Sequence, residues 1–266
     1  MTFVLYHAGC PDGFGSAWAA WQVFGDSARY MPVRYGEPPP AELGPNDDVF
    51  IVDFSFKRDV LLSLKDKVKT LVVLDHHKTA ESDLEGLDWC VFDQSHSGAV
   101  ITWNYFHSGI KPPTILLHIE DRDLWKWQLR DSKEISAALY AYDFDFKLWS
   151  EFSSDLGRLV KEGITILRLQ RKLVAQAASS AVLGSVGGYE VPMVCASQNV
   201  SEIGEYLCDN HPGRPFAAVY RDHGNQRRWS LRSRYGFDVS KVAETFGGGG
   251  HAAAAGFEQQ ISWVKV

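Results

Sequence analysis

The chain of 266 residues could form one large domain or two ordinary ones, and the usual size of domains favours two. Its hydrophobic fraction of 45% and charged fraction of 23% are typical of a soluble globular protein, and no apolar stretch approaches the length of a membrane span. The formal net charge of −6 argues against a protein that coats long duplexes of nucleic acid, because such binding depends on many Lys and Arg contacts to phosphate.

The N-terminal segment MTFVLYH has no basic leader, so we interpret it as a first strand and not as a secretory signal. The four cysteines are widely scattered and form no C-x-x-C pair, which argues against a disulfide framework and against a zinc knuckle. A reducing cytoplasm is therefore the expected compartment.

Three short apolar runs, at 3–6, 49–52 and 70–74, predict buried parallel strands in the first third of the chain. Helix-like segments at 15–25 and 57–68 lie between these runs, so the pattern is β-α-β-α-β. This alternation is typical of an α/β sheet with right-handed crossovers.

Imidazole and carboxylate groups follow all three runs: His7, then Asp53, then the DHH sequence at 75–77. Ligands of α/β sheets bind at the carboxyl ends of the strands, so these groups are predicted to converge. Converging groups of this kind would lose hydration and repel one another, and a divalent cation would offset both effects. The alternatives are a solvated loop for DHH and a helix N-cap for Asp53.

The remainder of the chain predicts further helices and a second domain. Residues 97–142 read as broken helices, and 156–183 has apolar residues at helical spacing, which indicates a long connecting helix. After GSVGG at 184–188 the pattern changes to short strands and helices. The expected organisation is a first domain at 1–150, a helical linker at 151–186 and a second, smaller domain at 187–266.

Two later segments also carry candidate site residues. Asp121 and Asp123 follow the apolar stretch ILLHI, which favours a site over a solvated helix end. Four glycines precede His251, and such a run lets the backbone approach a ligand closely and present N–H groups to an anion. No Lys-Ser/Thr follows these glycines, so the segment is not a Walker A loop, and a flexible surface loop is the alternative.

Together, the DHH at 75–77, Asp53, the HxxxxDG of residues 7–13 and the GGGGHAAAAGF of 247–257 resemble the DHH phosphoesterase superfamily with its C-terminal DHHA1 domain. The motifs come in the family's order and span nearly the whole chain. The resemblance implies an α/β fold: an N-terminal parallel-sheet DHH domain is joined by a long helix to a smaller α/β DHHA1 domain, with the active site in the cleft between them.

The resemblance also implies two Mn²⁺ or Mg²⁺ ions in the first domain. Their expected ligands are His7, Asp12, Asp53, His76 and Asp121, with Asp121 preferred to Asp123. Asp75 and His77 are the expected catalytic residues, with Asp75 orienting the imidazoles or binding metal itself and His77 facing the phosphate. A substrate phosphate is expected to bind His251, Arg232 and the backbone of Gly248, Gly249 and Gly250.

Cys10 departs from the family pattern. Members of the family usually have two acidic residues, separated by one residue, before the glycine, and this chain has Cys10-Pro11-Asp12 there, so the first acid is replaced by cysteine. Thiolate is a poor ligand for Mn²⁺ or Mg²⁺ and a good one for Zn²⁺. Cys10 is therefore either a sulfur ligand or the mark of a weakened first metal site.

The activity that the resemblance implies is metal-dependent hydrolysis of very short single-stranded oligoribonucleotides, such as linear dinucleotides, to nucleoside monophosphates. Long duplexes and membranes are not expected partners. The sequence does not decide whether the protein forms a homodimer. Trp103, Trp125 and Trp127 are candidates for stacking a base. The alternatives are a nucleotide bisphosphate phosphatase, a cyclic dinucleotide phosphodiesterase and a catalytically weakened nucleotide sensor.

Overall fold

The computed structural model describes residues 1–234 and 236–262. The chain divides into two compact units, Met1–Leu167 and Arg168–Val266. The boundary between them falls within the long helix Gly157–Ala178 (α8), the predicted connecting helix. Among the described residues, no helix is both long enough and apolar enough to cross a membrane.

The first unit is built on a five-stranded sheet with the order β2-β1-β3-β4-β5. Its strands are Thr2–His7 (β1), Ala28–Val33 (β2), Asp48–Val52 (β3), Thr70–Asp75 (β4) and Cys90–Phe92 (β5). Every neighbouring pair is parallel. The strand order reverses between β1 and β3, and the crevice beyond the carboxyl ends at such a point is where open α/β sheets bind ligands.

Helices cover both faces of this sheet. They are Pro11–Phe24 (α1), Arg58–Lys67 (α2), Lys78–Asp83 (α3), Gly98–Phe106 (α4), Thr114–Asp123 (α5), Ser132–Leu139 (α6) and Phe146–Ser154 (α7). Alternate residues of β1 point to opposite faces, so Val4 packs with Phe14 of α1 in one buried cluster, whereas Leu5 packs with Leu61 of α2 in the other. The first unit is therefore a three-layer α/β fold with the sheet in the middle.

The second unit contains a six-stranded mixed sheet with the order β10-β11-β9-β8-β7-β6. Its strands are Val182–Val186 (β6), Tyr189–Cys195 (β7), Phe216–His223 (β8), Gln226–Ser233 (β9), Gly249–Gly250 (β10) and Ala254–Gln260 (β11). Only the β7–β8 pair is parallel among these neighbours. Helix Val200–Asn210 (α9) packs on one face and Val239–Glu244 (α10) on the other.

The predicted two-part α/β fold is confirmed, but the second sheet starts earlier than expected. Strand β6 lies in the segment assigned to the linker, and it pairs antiparallel with β7 through a turn at Gly187 and Gly188. Their φ angles of +60° and +84° are the left-handed values that a tight two-residue hairpin requires. The sequence Val-Gly-Gly-Tyr is therefore a hairpin within the second unit and not the end of a linker.

Strand β2 was absent from the sequence prediction because it lies at the edge of the first sheet. It pairs only with β1 among the described strands, and its sequence ARYMPV contains Pro32 and has exposed positions. Proline is tolerated at an edge, where one side of the strand needs no ladder hydrogen bonds. The strand therefore lacks the continuous apolar run by which the buried strands were recognised.

Candidate metal centre and phosphate site

Asp53 lies between the carboxyl ends of β1 and β4. It follows β3 directly, with a buried side chain and a φ angle of +61°, a left-handed conformation that few non-glycine residues adopt. One carboxylate oxygen, Oδ2, lies 3.5 Å from Nδ1 of His7, and the other, Oδ1, lies 3.2 Å from Nε2 of His76. The two oxygens of Asp53 therefore face imidazoles from two different strands.

Helix α4 begins directly against Asp53. A Cβ on Gly98, the first residue of α4, would lie 2.6 Å from both Cβ and Oδ1 of Asp53, so only glycine leaves room for this carboxylate. The backbone N–H groups of Gly98 and Ala99 donate to Oδ2 and Oδ1 of Asp12, at 2.7 Å and 3.1 Å. The start of α4 thus fixes Asp12 and makes space for Asp53.

In the DHH segment, Asp75 contacts His77, whereas His76 faces other carboxylates. Oδ1 of the buried Asp75 accepts the backbone N–H of His76 at 2.8 Å and lies 2.7 Å from Nδ1 of His77. Such a contact orients the His77 imidazole. The buried His76 points elsewhere, with its Nε2 3.7 Å from Oδ2 of Asp12 and 3.5 Å from Oδ2 of Asp123.

Asp123, and not Asp121, joins this cluster. Oδ1 of Asp121 accepts the backbone N–H of Gln128 at 2.8 Å, and Oδ2 accepts that of Leu129 at 3.1 Å. Residues two apart on a helix of 3.6 residues per turn point to nearly opposite sides, so only one of the two aspartates can face His76. The preference for Asp121 therefore disagrees with the geometry, in which Asp121 shapes the loop after α5.

Cys10 lies beside His7 and Asp53, at the residue that precedes α1. Ligand atoms of these three side chains lie within 4.8 Å of one another. The thiol is free and half-buried. Burial raises the pKa of Cys10, while its hydrogen bond to His7 acts in the opposite direction.

The charges of this cluster suit a divalent cation. Burial disfavours a charged His7, but its hydrogen bonds to Asp53 and Cys10 outweigh burial and raise the pKa of His7 to about 11. Burial likewise opposes protonation of His76, yet the hydrogen bond to Asp53 and the charges of Asp123 and Asp12 raise its pKa to about 11. The carboxylates thus demand positive charge, which a cation could supply in place of protons.

The donor atoms themselves also fit a metal. Both oxygens of Asp53 are buried, and apart from the imidazoles of His7 and His76 neither faces a hydrogen-bond donor from the part of the chain that the structure describes. Ligand atoms of Asp12, His76 and Asp123 lie within 4.8 Å of one another, as do those of the group around Cys10. The carboxylates suit Mn²⁺ and Mg²⁺, whereas the imidazoles and the Cys10 thiol favour transition metals, so the residues present fit a divalent cation in each group, with Asp53 between them.

In the second unit, the glycine run forms a tight hairpin. A Cβ on Gly248 would lie 2.1 Å from the carbonyl oxygen of Gly256, and one on Gly250 would lie 2.6 Å from that of Ala254. The N–H of Gly248 donates to Ala243 O at 2.9 Å. The glycines are therefore needed for packing, and the expectation that the N–H of Gly248 holds a phosphate disagrees with this hydrogen bond.

Gly249 belongs to the same hairpin, in which it pairs with Gly256. His251 starts the turn between β10 and β11, where its N–H donates to Ala254 O at 2.8 Å. Arg232 of β9 lies opposite Ala254 in the sheet, and its Nη2 donates to Oγ of Ser201, at the start of α9, at 2.8 Å. Arg232 and the turn that begins at His251 are thus on neighbouring strands of one unit.

The aromatic residues considered for base stacking differ in burial and in position. Trp103 is 7% exposed, and its Nε1 donates to Ile110 O, so this candidate for base stacking lies in the core. Trp125 and Trp127 are half-buried in the loop that Asp121 shapes. Tyr35, which sequence reasoning missed, lies with its ring centroid 5.0 Å from that of His7. It belongs to no motif, and its one sequence signal is the Tyr-Gly pair of a turn.

Comparison with known proteins identifies the family. The DHHA1 domain model matches residues 194–260. Uncharacterized protein R106 of Acanthamoeba polyphaga mimivirus is 32% identical over 281 residues, which cover 96% of this chain and 67% of that protein. Oligoribonuclease NrnB of Bacillus subtilis (strain 168) is 25% identical over 296 residues, which cover 95% of this chain and 71% of the relative.

Solved structures share the fold at low sequence identity. The DHH domain of PF0399, described as a member of a family of ribosomal proteins, has a TM-score of 0.63 at 15% identity, covering 98% of this chain and 82% of that one. RecJ of Thermus thermophilus in complex with Mn²⁺ has a TM-score of 0.53 at 15% identity, covering 98% and 49%. Since fold, family model and relatives agree, the chain belongs to the DHH phosphoesterase superfamily and carries its DHHA1 domain.

Proposed function

We propose that this phosphoesterase is a metal-dependent phosphodiesterase that hydrolyses very short oligoribonucleotides, such as linear dinucleotides, to nucleoside monophosphates. The observation that carries the proposal is the placement of Asp53 between two groups of metal-ligand atoms at the switch point of the sheet. The similarity to a protein named an oligoribonuclease supports the substrate class.

The two groups define the proposed metal ligands. His7 and Asp53 would hold one Mn²⁺ or Mg²⁺ ion, and Asp12, His76 and Asp123 would hold the other, with Asp53 near enough to contribute to both. When bound, such cations lower the pKa of a coordinated water and offset negative charge on the phosphate.

The remaining site residues would bind and orient the substrate. In this proposal His77, whose Nδ1 is held by Asp75, donates a hydrogen bond to an oxygen of the phosphate that is cleaved. Arg232 and His251 would bind a second phosphate of the substrate, and Arg suits this role because its guanidinium can donate two parallel hydrogen bonds. Gly248, Gly249 and Gly250 would serve by forming the hairpin that carries His251.

Cys10 sets the strength of the first metal site in this proposal. Replacing the thiol with a harder donor by Cys10→Asp should raise the affinity for Mn²⁺, because carboxylates suit this ion better than sulfur. Cys10→Ser should leave Mn²⁺-dependent hydrolysis largely intact. Metal stoichiometry of the wild type and of Cys10→Asp, measured after dialysis against Mn²⁺, checks this assignment, and loss of bound Mn²⁺ in Cys10→Ser would contradict it.

A substrate panel tests the proposed activity. Oligoribonucleotides of about two to seven residues, cyclic dinucleotides and nucleotide bisphosphates would be incubated with Mn²⁺, Mg²⁺ or Zn²⁺, and a chelator would provide the control. We expect nucleoside monophosphates from the shortest oligomers with Mn²⁺. Phosphate release from the bisphosphate alone would instead indicate a phosphatase, and binding without turnover under all conditions would indicate a nucleotide sensor.

A further inference from the structure

Tyr35 is fixed by a turn that follows the edge strand β2. The N–H of Glu37 donates to Arg34 O at 3.1 Å, and the N–H of Arg34 donates to Oε2 of Glu37 at 2.9 Å. Gly36 has a φ angle of +88°, which a type II turn requires at its third position, and Tyr35 takes the second. Because both ends of the turn are hydrogen-bonded, the position of Tyr35 is defined before any ligand binds.

The ring of Tyr35 contacts two residues of the proposed site. Its centroid lies 5.0 Å from that of His7 and 6.0 Å from that of His77, with interplanar angles of 65° and 81°. A third edge contact, to Phe54, supports the ring at 6.4 Å. Despite these contacts, Tyr35 remains 51% exposed. A large aromatic side chain beside the metal cluster is thus only half covered by the residues that the structure describes.

These contacts leave Tyr35 suited to bind a flat aromatic ligand. Its aromatic neighbours within the described ranges meet it edge to face, and none of them stacks parallel to it. Stacking of a nucleobase on an aromatic side chain is favourable for every base, because every base presents a π face. Since His77 is proposed to contact the phosphate, a base stacked on Tyr35 would belong to a nucleotide at the reacting end of the substrate.

We infer that Tyr35 binds the nucleobase next to the phosphate that is cleaved, so the site selects nucleotides over phosphate esters that lack a base. This inference rests on the proposed function. The ring and not the hydroxyl is the binding element, because the ring makes the contacts with His7 and His77.

Binding measurements separate recognition of the base from recognition of the phosphate. Titration calorimetry with Mn²⁺ present would compare adenosine monophosphate with ribose 5-phosphate, which lacks the base. Tyr35→Ala should weaken binding of the nucleotide about tenfold, a loss within the range for base stacking. It should leave the affinity for ribose 5-phosphate unchanged within about twofold. Tyr35→Phe should bind both ligands like the wild type.

Tyr105→Ala is the matched control. Tyr105 is 45% exposed on α4, and its ring contacts Phe50 and Phe106 instead of the metal cluster. The control should change neither affinity. Equal weakening of both ligands by Tyr35→Ala would show that the tyrosine only supports His7 and His77, and this result would overturn the inference. Unchanged affinity for the nucleotide in Tyr35→Ala, or weakened affinity in Tyr35→Phe, would also overturn it.

Hydrolysis of a dinucleotide gives an independent readout. Tyr35→Ala should raise KM about tenfold with little change in kcat, because stacking contributes to binding of the substrate and not to the chemical step. A fall in kcat at unchanged KM would overturn the inference. If the wild type binds adenosine monophosphate through Tyr35 but cleaves no phosphodiester, the proposed function fails and the inference about base binding stands.

Discussion

Neutralising Asp121 and Asp123, two residues apart on α5, should have opposite consequences for stability and for metal binding. The matched substitutions Asp121→Asn and Asp123→Asn keep the shape of the side chain and remove its charge. Asp121 uses both oxygens to order the following loop, whereas Asp123 lies against His76 in the proposed metal site. The pair therefore tests the assignment in which the structure departs from the sequence prediction.

Asp121→Asn should destabilise the first unit. Asparagine retains one acceptor, so one of the N–H groups of Gln128 and Leu129 would face an amide donor and lose its partner. Hydrogen bonds to a charged group contribute about 1.5–3 kcal/mol each, so the expected loss in free energy of unfolding is about 2–3 kcal/mol. For a unit of this size, that loss lowers the melting temperature by roughly 4–12 °C.

Asp123→Asn should leave the metal-free protein at least as stable as the wild type, because it removes one of several carboxylates that share His76. Its effect should appear when Mn²⁺ is added. At a Mn²⁺ concentration about 100 times the wild-type Kd, binding stabilises the fold by about 2.7 kcal/mol. A loss of affinity of about 100-fold would reduce this stabilisation to about 0.4 kcal/mol at the same concentration.

Scanning calorimetry of both variants, with EDTA and then with Mn²⁺, measures these effects separately. We expect Asp121→Asn to melt early in EDTA and still gain stability from Mn²⁺, and Asp123→Asn to melt normally in EDTA and gain little. The reverse pattern, in which Asp121→Asn is stable in EDTA but insensitive to Mn²⁺, would refute the reasoning and restore Asp121 as the ligand.

Three further predictions test separate features. Gly98→Ala places a Cβ 2.6 Å from Asp53, so Mn²⁺-dependent hydrolysis should fall at least about tenfold, whereas Gly213→Ala, whose Cβ meets nothing within 4 Å, should keep it. Burial lowers the pKa of His118 below 6.5, so the unfolded chain takes up this proton first and stability falls as the pH drops through 6.5. Urea unfolding at about pH 8 and about pH 5.5 should show a smaller loss in His118→Gln. Gly188→Ala, at a φ of +84°, should destabilise the second unit by about 1 kcal/mol in urea unfolding, and Gly188→Asn by less.

The sequence predicted those parts of the site that follow buried strands. Each of the strands that end near His7, Asp53 and Asp75 is a continuous apolar run, so its end can be located from the residues alone. Tyr35 follows an edge strand whose pattern is interrupted, and it was missed for that reason. The choice between Asp121 and Asp123 depends on the rotation of α5 about its axis, and the apolar residues of α5 define its buried face but not which side chain at the end of the helix meets His76.

Asp53 shows how the fold decides between two roles that the sequence left open. A helix N-cap would require its carboxylate to accept an N–H from α2, but α2 begins at Arg58, after Lys57 in the cap position. Instead, the N–H of Asp53 donates to Leu74 O at 2.9 Å, so the contact with β4 continues past the end of β3. This bond anchors Asp53 in its left-handed backbone conformation. In that conformation, its two carboxylate oxygens face His7 and His76. Only a carboxylate offers two negative oxygens from this position, so the proposed role of Asp53 as a ligand of both cations would account for its charge and for its left-handed backbone together.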